Sequence, residues 1–331
     1  MQGKNLVRIT LCSVLLVAGW IIVHTTSASA DSHRGAEYFT NTTLTTQDGQ
    51  KVHFYDDLLK GKIVAINLIY TNCEYSCPLE TARLAQVQKL LGDRVGKDIF
   101  FYSISIDPVR DTPAALKAYA AKFHAGPGWT FLTGKKEDID LLSKKLGLYS
   151  DPRLSGKDGH TPHLLIGNEA TGQWMRDSAS DNPKFLANLI GNVMSSWRNA
   201  STAPPKKSYS EATPIDLSNT GKYLFTKECA ACHTIGHGDK IGPDLLGVTN
   251  VRDPVWLRRY IHEPDKMIAE KDPIAVELFS KYKEVRMPNL RVGDADMDAL
   301  INFLASKDQE ASAGAATKEA EGGSRDGRPH R

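Results

Sequence analysis

Four of the five cysteines in this 331-residue chain stand in two close pairs, and both pairs are placed to do chemistry. The first lies in Cys73-Glu74-Tyr75-Ser76-Cys77-Pro78. An apolar run from Ile63 to Tyr70 reads as a buried strand before it, and Leu79, Ala82, Leu84, Val87, Leu90 and Leu91 recur at helical spacing after it. Two thiols therefore stand where a strand turns into a helix. Pro78 suits a first helical turn, where a missing N–H costs nothing. The i, i+4 spacing brings both sulfurs to one face if the segment is helical, and the free N–H groups of a helix start lower a thiol pKa. Such a pair is fitted for thiol–disulfide exchange or for holding a soft metal. The second pair lies in Cys229-Ala230-Ala231-Cys232-His233. This is the pattern of covalent c-type haem attachment: two thiols add across the vinyl groups, and the adjacent imidazole binds the iron. The fifth cysteine, Cys12, falls in an apolar leader.

The elements that must position these groups can be read outward from them. The length implies about two domains at ~150 residues each. A formal net charge of +2 gives no ground for nucleic-acid binding. Residues 1–30 read as an export signal, with Lys4 and Arg8 ahead of an apolar Ile9 to Val23 and a small-x-small Ala28-Ser29-Ala30. The apolar run is short for a spanning helix, which needs ~20 residues, so cleavage is expected and a retained N-terminal membrane anchor is the alternative. Either way the rest of the chain is expected outside the cytoplasm, in the bacterial periplasm or on the periplasmic face of the inner membrane. Residues 38–62 read as a hairpin about Gln47-Asp48-Gly49-Gln50. Further strands are expected at 99–106, 129–133, 164–166 and 173–175, and helices from Thr112-Pro113 to about Phe123, over 136–147 and over 183–198. This alternation predicts an α/β sheet with helices on its faces. Residues 199–215 have linker composition, with Pro204-Pro205 stiffening it. A helical module follows from 216 to 308, and 309–331 reads as a disordered tail.

Within the second module a helix over Asn219 to Lys227 leads into the haem pattern, and Gly242-Pro243-Asp244-Leu245 forms a turn able to pass close beside a flat ring. Arg286-Met287-Pro288-Asn289-Leu290 sits in a loop before a last helix, Asp294 to Leu304. The module resembles class I cytochrome c. The resemblance implies one covalent haem c on Cys229 and Cys232, with His233 and Met287 as axial ligands. Met267 and Met297 lack the Met-Pro context and read as core, and His237 and His262 are weaker candidates. Met/His ligation leaves no open position and suits electron transfer.

Residues 38–197 resemble the Sco/SenC family of copper-binding, thioredoxin-like proteins, so the fold class expected is an α/β thioredoxin-like domain (31–198) followed by a small all-α cytochrome c domain. The resemblance rests on Thr71-Asn72-Cys73-Glu74-Tyr75-Ser76-Cys77-Pro78, on Ser105-Ile106-Asp107-Pro108-Val109-Arg110-Asp111-Thr112-Pro113, and on His160-Thr161 before the Leu164 strand. It implies one copper held by Cys73, Cys77 and His160, with His163 as the alternative third ligand. That donor set is chemically sound, because thiolates hold Cu(I) and an added imidazole also suits Cu(II). A structural zinc site would need four protein ligands, and this domain offers no further cysteines. Asp107 reads either as a neighbour of the site or as a loop cap, and Arg110 and Asp111 as loop salt-bridge partners. The function implied is maturation of the dicopper centre of cytochrome c oxidase, with oxidase subunit II or another cuproprotein as recipient and a cytochrome as redox partner. The same thiols would serve a periplasmic thiol–disulfide reductase, in which Cys73 and Cys77 are catalytic. A third reading is a respiratory electron carrier whose first domain only docks.

Overall fold

In the computed structural model the described residues are 35–149, 163–196 and 220–322. A strand of seven buried residues, β3 (Ile63–Ile69), is the centre of the first module. β-Branched and aliphatic residues at six of its seven positions suit a strand covered on both faces, and the seventh, Asn67, accepts from the Ser103 hydroxyl at 2.7 Å. The strands β1 (Thr43–Thr46), β2 (Lys51–His53), β4 (Ile99–Ser105), β5 (Trp129–Thr133), β6 (His163–Asn168) and β7 (Gln173–Ser178) complete one sheet in the order β2-β1-β5-β4-β3-β6-β7. The β3–β4 and β4–β5 pairs are parallel, and the other pairs are antiparallel.

The parallel pairs require crossovers, supplied by α1 (Ser76–Leu91) and α2 (Pro113–Lys122). After β5 comes α3 (Lys136–Lys145). After β7 come α4 (Pro183–Asn188), a wide turn Leu189–Val193 and the short α5 (Met194–Ser196). Two cores flank the sheet. One gathers Ile69, Leu84, Phe101, Leu116, Phe123 and Phe131, and the other Leu44, Phe54, Leu59, Ile66, Tyr102 and Leu142.

Most expected elements are present. Thr112 caps α2 by accepting from the Ala115 N–H at 3.3 Å, with Pro113 first in the helix. Two expectations are corrected. The second arm of the hairpin ends at His53, and Phe54–Leu59 form a wide helical turn. Phe54, Tyr55, Leu58 and Leu59 are all buried there, a spacing that fits a turn of helix rather than the alternation of a half-buried strand. The last helix also runs far beyond Leu304, into the segment read as a disordered tail.

The second module is built of α6 (Thr220–Leu224), a wide turn Phe225–Cys229, α7 (Val248–Val251), α8 (Pro254–His262), α9 (Pro264–Ala269), α10 (Pro273–Lys281) and α11 (Asp294–Gly322). The extension of α11 is rich in Ala and Glu, residues that lose little on entering a helix. Asp308, at its middle, is buried and accepts from the Gly247 N–H (2.6 Å), the Thr249 N–H (3.1 Å) and the Thr249 hydroxyl (2.5 Å). It ties α11 to the start of α7. Among the described residues no helix is long and apolar enough to cross a membrane. The leader and the 199–215 linker lie outside the described residues.

Candidate functional site

The thiol pair sits at the carboxyl ends of β3 and β4, the edge where open α/β sheets hold their ligands. Cys73 lies in the loop just before α1, and Cys77 is the second residue of that helix. The shared helix face expected from the i, i+4 spacing is therefore not what joins them: the loop turns Cys73 toward the helix start instead. Neither is in a disulfide in this structure, with Cys73 2% exposed and Cys77 fully buried.

Their acidities split. The Cys77 thiol donates toward the Cys73 sulfur, and the Tyr75 and Cys77 backbone N–H groups add to it. Together they outweigh burial and draw Cys73 down to about 6. Burial pushes Cys77 well up, reinforced by the neighbouring sulfur and by Glu80. Cys73 is thus the thiol that ionises first, and Cys77 the partner that keeps its proton. Alkylation of Cys73 in the reduced protein is expected to rise with pH up to about 6 and then level off, whereas an ordinary thiol of pKa 9.0 keeps rising. Cys77 stays unlabelled over that range. Mass-spectrometric labelling against pH measures both, and a Cys73 profile that climbs to the ordinary value contradicts the assignment.

The loop is held from below by Asp111, a residue read from the sequence as a salt-bridge partner. It is not one. Its carboxylate is 1% exposed and accepts from the Thr71 N–H (3.1 Å), the Thr71 hydroxyl (2.6 Å) and the Ser105 hydroxyl (2.6 Å). Arg110 instead pairs with the Asp107 carboxylate, and the Asp107 main-chain carbonyl accepts from the Arg110 and Asp111 N–H groups at 3.1 and 2.9 Å. Because β3 and β4 run parallel in register, with Ile69 opposite Ser105, the loops leaving them meet. A residue forty positions on can then organise the first cysteine loop, which local spacing does not reveal.

Among the described residues no group of three or more His, Cys, Asp or Glu side chains forms a metal cage. His160 lies outside the described residues, so the two thiols are the part of the predicted copper set that can be placed. His163 opens β6 opposite Ser178 and is half-buried. Two thiols, one already acidic, fit a soft cation.

The second site is an apolar cavity of about 260 Å³ lined by Cys229, Cys232, His233, Met287, Trp256, Leu257, Tyr260, Leu300 and Leu304, among others. The His233 Nδ1 lies 2.8 Å from the Pro243 carbonyl. With Nδ1–H donating there, Nε2 is left as the ligating nitrogen, and burial lowers the ring's pKa so that it stays neutral. Gly242 is the close-approach residue expected of the turn, since a Cβ there would stand 2.6 Å from the His233 ring. Burial pushes the Cys229 and Cys232 thiols up to about 12 and about 11. Thioethers have no proton to lose, so this penalty vanishes on attachment. These residues fit a covalent haem. Met287 is the methionine of the cavity wall, whereas Met267 and Met297 are buried elsewhere in the module, and His237 and His262 are exposed.

The two sites share a wall. Both modules fall within one compact unit. A cleft of about 470 Å³ opens onto Cys73 between Thr71, Asn72, Pro78 and Tyr119 on one side and Phe279, Val285 and Arg286 on the other. Phe279, Val285 and Arg286 also line the apolar cavity. Ala231, Cys232, Ile241, Val285 and Leu290 join the core on the α1 side of the sheet.

The comparisons with known proteins follow the same division. A family model described as SCO1/SenC matches residues 30–176, and one described as Cytochrome c matches residues 218–308. A SCO2-like protein of Rickettsia conorii is 30% identical over 146 residues, which cover 42% of this chain and 69% of that protein. The chain belongs to the SCO1/SenC family. The SCO1 protein homolog of Bacillus subtilis is 39% identical over 105 residues, 31% of this SCO1/SenC chain and 53% of that homolog. The chain thus spans between about half and about two thirds of the length of these relatives. Among solved structures, a SCO1/SenC family lipoprotein from Bacillus anthracis matches with 28% identity and a TM-score of 0.40, covering 46% of this chain and 92% of that one. The cytochrome c domain of the pp3183 protein from Pseudomonas putida matches with 45% identity and a TM-score of 0.25, covering 27% and 88%. The family models and the chain's own elements agree on the two modules expected from the sequence: an α/β module of the SCO1/SenC family with one mixed sheet, then a helical module matched by the Cytochrome c model.

Proposed function

We propose that this SCO1/SenC chain is an exported copper chaperone and redox protein for the dicopper centre of cytochrome c oxidase, with a haem c module that exchanges electrons with its copper site. The observation that carries this reading is the wall of Phe279, Val285 and Arg286, which lines both the cleft onto Cys73 and the cavity of the haem motif. One copper is the cargo, held by Cys73, Cys77 and His160. One haem is bound covalently through Cys229 and Cys232, with His233 and Met287 on its iron. When bound, the haem supplies one-electron exchange, which matches a Cu(I)/Cu(II) couple better than the two-electron step of a dithiol. The chain's own part is to keep Cys73 ionised, to hold its loop through Asp111, and to keep water out of the apolar cavity. The recipient is oxidase subunit II or another cuproprotein, met in the periplasm or at the periplasmic face of the inner membrane.

One observation favours a second reading, a thiol–disulfide reductase that prepares the recipient's cysteines. The low pKa of Cys73 beside the raised one of Cys77 is the asymmetry of an attacking and a resolving thiol. Rapid mixing separates the readings. Copper(I)-loaded protein is mixed with a one-electron oxidant that oxidises the haem first. The expected result is re-reduction of the haem with matching growth of Cu(II)–thiolate absorption, both lost in Cys73→Ser. Haem that stays oxidised beside intact Cu(I) contradicts electron exchange. Haem kinetics untouched by Cys73→Ser point to an electron carrier with a docking domain.

A further inference from the structure

The loop that carries Met287 is fastened to the loop that carries Cys73. The Arg286 Nη1 stands 3.2 Å from the Glu74 carboxylate, and Nη2 donates to the Asn72 side-chain oxygen at 3.3 Å. Three residues on, the Asn289 N–H donates to the Glu74 carbonyl at 3.0 Å. The Arg291 guanidinium then lies 5.3 Å from the Tyr75 ring centroid. Asn72, Glu74 and Tyr75 surround Cys73 in the chain, and all three engage this one loop of the cytochrome module. The Arg286 side chain is 25% exposed and that of Glu74 is 39% exposed, so water and salt reach the pair.

We propose that Arg286 is a positioning residue which, through Glu74, holds the cytochrome module over Cys73 and so makes the thiol face a docking surface shared between this module and an incoming protein. A protein that exchanges metal or disulfide with Cys73 must bring its own sulfur to the cleft where Phe279, Val285 and Arg286 now stand. The two occupants exclude one another. The surface left when the module lifts away offers a carboxylate at Glu74, a free backbone carbonyl and an aromatic ring at Tyr75. The partner that fits is a protein loop presenting a guanidinium or ammonium group, with a backbone N–H a few residues from it. The contact is electrostatic in part and exposed, so it is strong enough to set an orientation and weak enough to be displaced. The inference needs only the two thiols and this contact, so it stands or falls apart from the identity of the cargo.

The test uses the full-length, haem-loaded protein with its thiols reduced. Alkylation of Cys73 by iodoacetamide, an uncharged reagent, is followed at one pH in the unchanged chain, Glu74→Arg, Arg286→Glu and the double exchange. Each single reversal is expected to speed alkylation about two- to fivefold, and the double exchange to restore the slow rate, as for an ion pair of ordinary strength. Raising the salt concentration is expected to speed the unchanged chain and to have less effect on either single variant. Haem absorption and circular dichroism report whether each variant is folded. Should a single reversal misfold, the salt series on the unchanged chain still decides. Equal rates in folded variants, no recovery in the double exchange, or a salt-independent rate in the unchanged chain would each overturn the proposal.

Discussion

Asp111→Ala is expected to cost roughly 3 kcal/mol and to abolish the special acidity of Cys73, because the Thr71 N–H, the Thr71 hydroxyl and the Ser105 hydroxyl all lose their acceptor at once. Ser105 is fully buried, so water cannot replace the lost partner there, whereas half-buried Thr71 can recover part of its loss. The functional effect follows from the geometry. Cys73 owes its lowered pKa to Cys77 and to the Tyr75 and Cys77 N–H groups, and those are aimed by the loop that Asp111 holds. Once that loop is free, burial outweighs the hydrogen bonds, and the alkylation midpoint moves up from about 6 toward the ordinary 9.0. Asp111→Asn keeps the shape but turns an amide N–H₂ toward donors, so an intermediate loss is expected. Thermal melting and labelling against pH measure the two effects separately. A normal melt with an unshifted Cys73 profile in Asp111→Ala would show that the loop holds itself.

Gly221→Ala is expected to be the most damaging single methyl in the cytochrome module. At this point α6 crosses α11 so closely that a Cβ would stand 2.0 Å from the Ala299 carbonyl oxygen and 2.6 Å from the Phe303 Cβ. The obstacle is backbone, which cannot rotate away, so the helices must separate by about 1 Å and loosen the Phe225–Phe303 contact. Alanine gains ~1 kcal/mol of helix propensity over glycine, which offsets only part of an overpacking cost of about 3 kcal/mol or more. Melting followed at the haem is expected to fall by roughly 10 °C. An unchanged melting temperature would mean that the two helices do not pack this tightly.

These two residues also mark where the sequence stops being legible. The cysteine pairs, the buried strand before the first, the Thr112-Pro113 helix start and the Gly242 turn could all be read locally, because each depends on neighbours within a few positions. Asp111 could not: its partners are Thr71 and Ser105, brought together by the parallel register of β3 and β4. Asp308 was hidden for the same reason, serving Gly247 and Thr249 from about sixty positions away. Low hydrophobicity over 309–331 suggests disorder, whereas residues 309–322 continue as a helix from one already packed. The wall of Phe279, Val285 and Arg286 is a property of how two modules meet, and neither module's motif announces it.

The chain, so read, places an acidified thiol and its buried partner across three side chains from a haem cavity. The measurement that tests the central claim most directly is a copper(I) titration of the reduced, haem-loaded protein lacking residues 1–30, beside Cys73→Ser and His160→Ala. One tightly held copper per chain is expected, lost in Cys73→Ser, weakened in His160→Ala, and accompanied on oxidation by Cu(II)–thiolate absorption. A protein that retains no copper, yet readily cycles a Cys73–Cys77 disulfide, would contradict it and leave the thiol reductase as the function of this site.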